Sequence, residues 1–131
     1  MAHRRQKEEE EDADVLKLGS EFNDAGCFFI SEVKSLLELR AQAAPDTPVY
    51  QKTLQYVNDF GKFANRDTTM AVREVLKREQ QLTQFEAAQI ANLCPQTADE
   101  AKGCIPSLVK IDDDRLQALL DEVQALRRFQ S

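Results

Sequence analysis

The sequence predicts a mainly α-helical domain that carries one short β-strand near its start. Three observations predict it. After residue 30, apolar residues recur at helical spacing almost to the end of the chain. The breaks between these runs carry helix-start signals, a serine, threonine or aspartate followed in places by proline or glutamate. Ahead of them, "DVLKLGSEF" at 14–22 follows a different, alternating pattern.

The chain opens on "MAHRRQKEEEEDAD", three basic against six acidic residues with no aromatic among them. Such a stretch buries too little apolar surface to offset chain entropy, so a disordered arm is expected at 1–13. A β segment is placed at 14–30 and a helical domain at 31–131.

In the alternating run, Val15 and Lys17 face one way and Leu16 and Leu18 the other, until Gly19 breaks it. A lone strand cannot satisfy its own backbone groups. "GCFFI" at 26–30 is too near and too short to serve as its mate. Two solutions remain open. The strand adds to the sheet edge of another chain, with Leu16, Leu18, Phe22 and Phe28 filling pockets there; or Val15–Leu18 lies across the helices as an apolar strap.

The helices follow in order. Ser31 is the expected cap of "EVKSLLELRAQAA", with Ile30, Val33, Leu37 and Ala41 on its inner stripe. "APDTP" ends that helix, and Thr47 with Pro48 starts the next, striped by Tyr50, Leu54, Val57 and Phe60. A third helix is capped by Asp67 or Thr68 and turns Val72, Val75 and Leu76 inward. "TQFE" reads as a capping box of Thr83 and Glu86, opening a helix to about Leu93 whose Ala87, Ala88 and Ala91 permit close helix approach. "TADE" is a second box, of Thr97 and Glu100, on a short helix that closes near Gly103 and stops at Pro106. Asp112 or Asp113 starts the last helix, where Leu116, Leu119, Leu120, Val123 and Leu126 form an amphipathic stripe ending at Arg127 and Arg128.

Nothing in this layout makes an active site, and no cofactor is expected. A structural zinc needs four ligands, but the chain has three cysteines and one histidine, His3, which falls in the arm. Cys94 and Cys104 are therefore read as packing thiols, in a reducing compartment suggested by the odd cysteine count and the lack of an apolar leader. The four glycines are scattered, so no phosphate-cradling loop forms, and Asp112–Asp114 suit a helix start better than a cation site. No apolar run is long enough for a membrane span.

The formal charge of −6 argues against independent nucleic-acid binding. One local exception stands out. Lys52, Lys62, Arg66, Arg73, Lys77 and Arg78 face only Asp59, Asp67 and Glu74 in the same stretch, a candidate weak nucleic-acid face or an ordinary solvated one.

"NLCPQTADEAKGCIPSL" followed by "IDDDRLQALLDEVQALRRFQ" resembles the C-terminal half of the family that provides the fourth subunit of eukaryotic RNA polymerase II, a family with an archaeal branch. "EEDADVLKLGSEF" resembles its N-terminal segment and "KTLQYVNDFGKFANRDT" its middle, in the same order over about 11–131. Gly61 departs from the family pattern, where a polar or basic residue is usual, and "QAAPDTP" is a compact connection.

The resemblance implies an HRDC-like helical bundle whose first strand joins the sheet of a partner. That partner is the seventh subunit, in an obligate heterodimer forming the stalk near the RNA exit channel. A non-catalytic nuclear role follows from it: initiation, clamp closure and docking of RNA and factors, with RNA held mainly by the partner. Carried onto this chain, the partner interface is Val15, Leu16, Leu18, Phe22, Phe28, Pro106 and Leu108. Two alternatives stay open, a stand-alone HRDC-type nucleic-acid-binding module and a stalk subunit of another nuclear polymerase.

Overall fold

The computed structural model describes residues 10–41, 43 and 46–130, so the greater part of the expected arm, residues 1–9, lies outside it, as does Pro45. Among the described residues there are six α-helices: α1 (Ile30–Leu39), α2 (Pro48–Phe60), α3 (Arg66–Lys77), α4 (Gln84–Leu93), α5 (Ala98–Cys104) and α6 (Asp113–Arg128). Two 3₁₀ turns, Ala13–Val15 and Pro106–Lys110, complete the order. The protein is mainly α, as expected.

Local chemistry explains most of the helix starts. Thr47 accepts from the Tyr50 amide with Pro48 just inside α2, where a missing N–H costs nothing. Thr83 and Glu86 form the reciprocal box at α4. Asp112 accepts from the Arg115 amide at α6. Thr97 caps α5, but the Glu100 carboxylate reaches the Gln96 amide rather than the amide of Thr97.

Two caps differ from expectation. Helix α1 begins at Ile30, not after Ser31, because Glu32 accepts from the Phe29 amide (2.7 Å) and Asn92 from the Ile30 amide (2.9 Å). Ser31 is buried inside the helix and accepts from the Phe63 amide instead. Helix α3 is capped by Asn65, ahead of the expected Asp67 or Thr68.

Helix α3 is the hub, packed against α1, α4 and α6, while α2 pairs with α1 and α5 with α6. Val72, Val75 and Leu76 of α3 meet a core that includes Phe29, Phe63, Ile90, Leu108, Ile111, Leu116, Leu120 and Val123. Each large side chain removed from water in this way contributes about 1.5–3 kcal/mol. Ala87, Ala88 and Ala91 are buried as their small size suggested. On α2 only Val57 is buried; Phe60, expected on the inner stripe, is half exposed beside Tyr56, their rings 4.8 Å apart.

The expected strand is the main correction. Among the described residues no strand occurs in 14–22. The chain closes on itself: the amides of Asp12 and Lys17 each donate to the other's carbonyl, at 2.8 and 2.9 Å, around the 3₁₀ turn. Leu16 takes a left-handed conformation (φ 60°) to make that closure, and Gly19 follows at φ 95°. The reason is the one that made a lone strand problematic: without a second strand, the backbone groups pair locally.

Candidate partner interface

The N-terminal turn lies beside the second 3₁₀ turn, Pro106–Lys110, so both ends of the expected interface share one side of the molecule. The turn is held by side chains as well as by its own backbone. Asp12 accepts from the Asp14 amide, and Asn23 accepts from the Leu18 amide at 2.7 Å. Phe22 and Asn23 then donate to the Gly19 carbonyl, and the chain runs without helix or turn from Ala25 to Phe29 into α1, Phe29 itself being extended.

That piece is fixed to the body of the protein at Cys27. The Cys27 amide donates to Gln84 (3.0 Å), and the Cys27 carbonyl accepts from Arg73 (2.7 Å). Arg73 also grips both oxygens of Glu32 and lies over the Phe29 ring, 4.1 Å from its centroid. One guanidinium thus ties α3, the start of α1 and the segment before it, using its planar fork and its face together.

The second 3₁₀ turn has its own anchor. Glu86 has a carboxylate with no exposed surface, yet accepts from the Thr83 amide (2.9 Å), Ser107 Oγ (2.7 Å) and Lys110 Nζ (2.6 Å). Burial pushes its pKa up, but the hydrogen bonds from Lys110, Thr83 and Ser107 and the charge of Lys110 outweigh that and hold it below the ordinary carboxylate value.

The expected interface residues divide by exposure. Val15 (59%), Phe22 (60%) and Phe28 (66%) present large apolar surfaces to solvent. Leu16, Leu18 and Pro106 are half-buried. Leu108 is a correction: it is fully buried in this chain's own core and has no surface to offer a partner. Its neighbour Val109, 72% exposed, was missed because in a short 3₁₀ turn the inner position cannot be read from helical spacing. Glu86, Gln84 and Asn92 were also missed as anchors; their partners lie far away in sequence, and no local pattern marks them.

The candidate nucleic-acid face does not survive intact. Arg73 is taken up by Glu32, Cys27 and Phe29, and Arg78 pairs with Glu122 at 2.7 Å. Lys52, Arg66 and Lys77 are exposed, and Lys62 is half-buried. The thiols divide as well: Cys94 is buried at the left-handed end of α4, with its pKa raised by burial against the charges of Arg127 and Lys62. Cys104, expected to pack, is exposed at the end of α5, and Cys27 is half-buried. Among the described residues no cluster of three or more His, Cys, Asp or Glu is placed to hold a metal, and no helix is long and apolar enough to cross a membrane.

Comparison with known proteins adds a second line of observation. Residues 2–127 match the family model described as RNA polymerase Rpb4. The chain is 43% identical over 130 residues to DNA-directed RNA polymerase II subunit rpb4 of Schizosaccharomyces pombe, covering 92% of this chain and 95% of that protein. It is 38% identical over 136 residues to DNA-directed RNA polymerase II subunit 4 of Arabidopsis thaliana (94% and 98%). It is also 38% identical over 144 residues to DNA-directed RNA polymerase II subunit rpb4 of Dictyostelium discoideum (93% and 92%).

Proposed function

The chain belongs to the RNA polymerase Rpb4 family, and from that premise we propose that it is a non-catalytic stalk subunit of RNA polymerase II, acting in the nucleus. The observation that carries this reading is end-to-end similarity, more than nine-tenths of both chains, to three proteins that all bear the name of that subunit. Their shared name favours polymerase II over a related nuclear polymerase, and the acidic charge of the chain speaks against a stand-alone nucleic-acid module.

In this reading the chain forms an obligate heterodimer with the β-rich seventh subunit near the RNA exit channel. The pair supports initiation, clamp closure and docking of RNA and factors, and RNA is held mainly by the partner. Val15, Phe22 and Phe28 supply apolar contact, supported by Leu16, Leu18 and Pro106, with Lys52, Lys62, Arg66 and Lys77 left for weak, salt-sensitive contact. The closed loop at 12–17 opens on assembly, and its backbone groups then pair with the partner's sheet. Opening costs the four backbone hydrogen bonds closed within 12–17 and relieves a left-handed leucine; pairing with the partner's sheet replaces those bonds, so the exchange is close to balanced before any apolar burial is gained.

Affinity purification of the full chain from native nuclear extract, followed by mass spectrometry, tests this. Recovery of one small β-rich subunit together with the large polymerase subunits is expected. Recovery of the chain alone, or with the subunits of a different polymerase, overturns it.

A further inference from the structure

Three separate parts of the chain bring basic side chains to one end of the molecule. Gln130, just past α6, accepts from the Ala64 amide at 2.7 Å and so ties the end of α6 to the loop between α2 and α3. Gln124 donates to the Cys94 carbonyl at 2.9 Å and ties the last turns of α6 to the end of α4. Lys62 and Arg66 stand on either side of Ala64, and Arg127 and Arg128 close α6. The charges of Lys62 and Arg127 both act on the Cys94 thiol. In sequence Lys62 and Arg66 stand with Arg73 and Arg78; in the fold they stand with Arg127 and Arg128.

Elsewhere the cations are engaged. Arg73, Arg78, Lys102, Lys110 and Arg115 each sit in an ion pair, whereas the four at this end make none among the described residues. Part of their role is local, because a helix C-terminus carries roughly half a negative charge and two such ends, of α4 and α6, meet here. Asp59 and Asp67, the acidic residues nearest in sequence, offset two more, and the N-terminus of α3 restores about half a charge. About one and a half positive charges stay uncompensated by this count, on a chain whose formal charge is −6. A positive surplus kept together on an acidic chain favours an anionic ligand. Exposed apolar side chains stand among the cations: Phe129 (78%) follows Arg128, Leu93 (49%) precedes Cys94, and Met70 (55%) lies one turn along α3 from Arg66.

A nucleic-acid strand is the poorer match. Its affinity grows with the number of phosphates neutralised; a small surplus neutralises few, and the rest of the acidic chain repels the remainder of a long polyanion. A short peptide that alternates carboxylates with apolar side chains meets both parts of the surface, the guanidinium forks and the apolar groups between them. We propose that the end of the molecule formed by Lys62, Arg66, Arg127 and Arg128 docks an acidic, amphipathic peptide segment of another protein. This gives the weak, salt-sensitive contact of Lys62 and Arg66 a definite ligand. It uses none of the apolar side chains placed at the heterodimer interface, so it stands or falls separately from that reading.

Fluorescence anisotropy tests the proposal, with the full chain titrated into a labelled synthetic peptide of glutamates alternating with leucine and phenylalanine. Binding is expected at low salt, weakening as salt rises, and is expected to vanish when glutamine replaces glutamate in the peptide. Arg66→Gln combined with Arg128→Gln, both at exposed positions, should raise Kd at least about threefold with the melting of the chain unchanged. Lys17→Gln combined with Arg40→Gln, an equal loss of charge at other exposed positions, should leave Kd as it was. No binding, equal binding of the glutamine peptide, or equal weakening by the two double variants overturns the docking site. Tighter binding of a polyuridine strand, lost in the Arg66 and Arg128 double variant, overturns the peptide in favour of nucleic acid.

Discussion

Lys110 holds its ammonium 2.6 Å from the Glu86 carboxylate, which has no exposed surface. The contact joins the start of α4 to the turn before α6, and Ser107 adds a second hydrogen bond, from its hydroxyl, to the same carboxylate. A buried carboxylate in this setting stabilises the fold only while it is ionised and fully partnered.

Glu86→Gln should therefore destabilise the domain by about 1–3 kcal/mol, read from urea denaturation at neutral pH. The pH dependence has a definite sign. Glu86 has a folded-state pKa below its ordinary 4.5, so the unfolded chain takes up the proton first as pH falls. The stabilisation is complete above 4.5 and is lost as pH drops through the folded-state value. In the glutamine variant this acid-side loss should be smaller than in the parent.

Arg73→Lys keeps the charge and removes the fork. It should cost about 1–2 kcal/mol, because a lysine cannot hold both Glu32 oxygens and the Cys27 carbonyl while covering the Phe29 ring. An unchanged midpoint in thermal or urea unfolding would show that the charge alone sufficed.

Gly61 ends α2 in a confined place, and its surroundings explain why glycine suits this chain. A Cβ at that position would lie 2.7 Å from the Val57 carbonyl oxygen and 3.2 Å from Ser31 Oγ. Ser31 is itself held by the Phe63 amide, so it cannot simply swing away. Gly61→Ala should destabilise by about 1–3 kcal/mol, measured by urea denaturation.

Legibility followed the range of the interaction. The starts of α2, α4 and α6 could be read because Thr47, Thr83 and Asp112 satisfy amides three residues ahead of them. The start of α1 could not, because Asn92 supplies its cap from 62 residues away. Ser31 looked like a cap and serves a distant loop instead. The strand at 14–22 was read from alternation alone. Alternation describes which face a side chain prefers, but it provides no partner for the backbone, and the free chain answers with a closed turn.

Leu108 and Val109 should separate core from surface. Leu108→Ala removes a fully buried side chain and should cost about 2–5 kcal/mol of stability. Val109→Ala, at a 72% exposed position, should stay within about 0.5 kcal/mol of the parent in the same denaturation assay. If the surface beside the N-terminal turn is covered in the heterodimer, the second variant will lower affinity for the seventh subunit while the free chain stays unchanged.

The closed N-terminal turn makes a kinetic prediction. Gly19 sits at φ 95°, a region that side-chain-bearing residues rarely adopt, and an added Cβ would meet Glu11 Oε1 at 3.1 Å. Gly19→Ala therefore penalises the closed form by about 1 kcal/mol and leaves every proposed contact side chain in place. If assembly requires that form to open, the open fraction rises and the apparent affinity tightens by up to about fivefold, expressed mainly as faster association. Stopped-flow mixing of the variant with the seventh subunit would read this directly. Slower association would mean that the bend at Gly19 is kept in the complex and that pairing begins on its far side, at Ala25–Phe29.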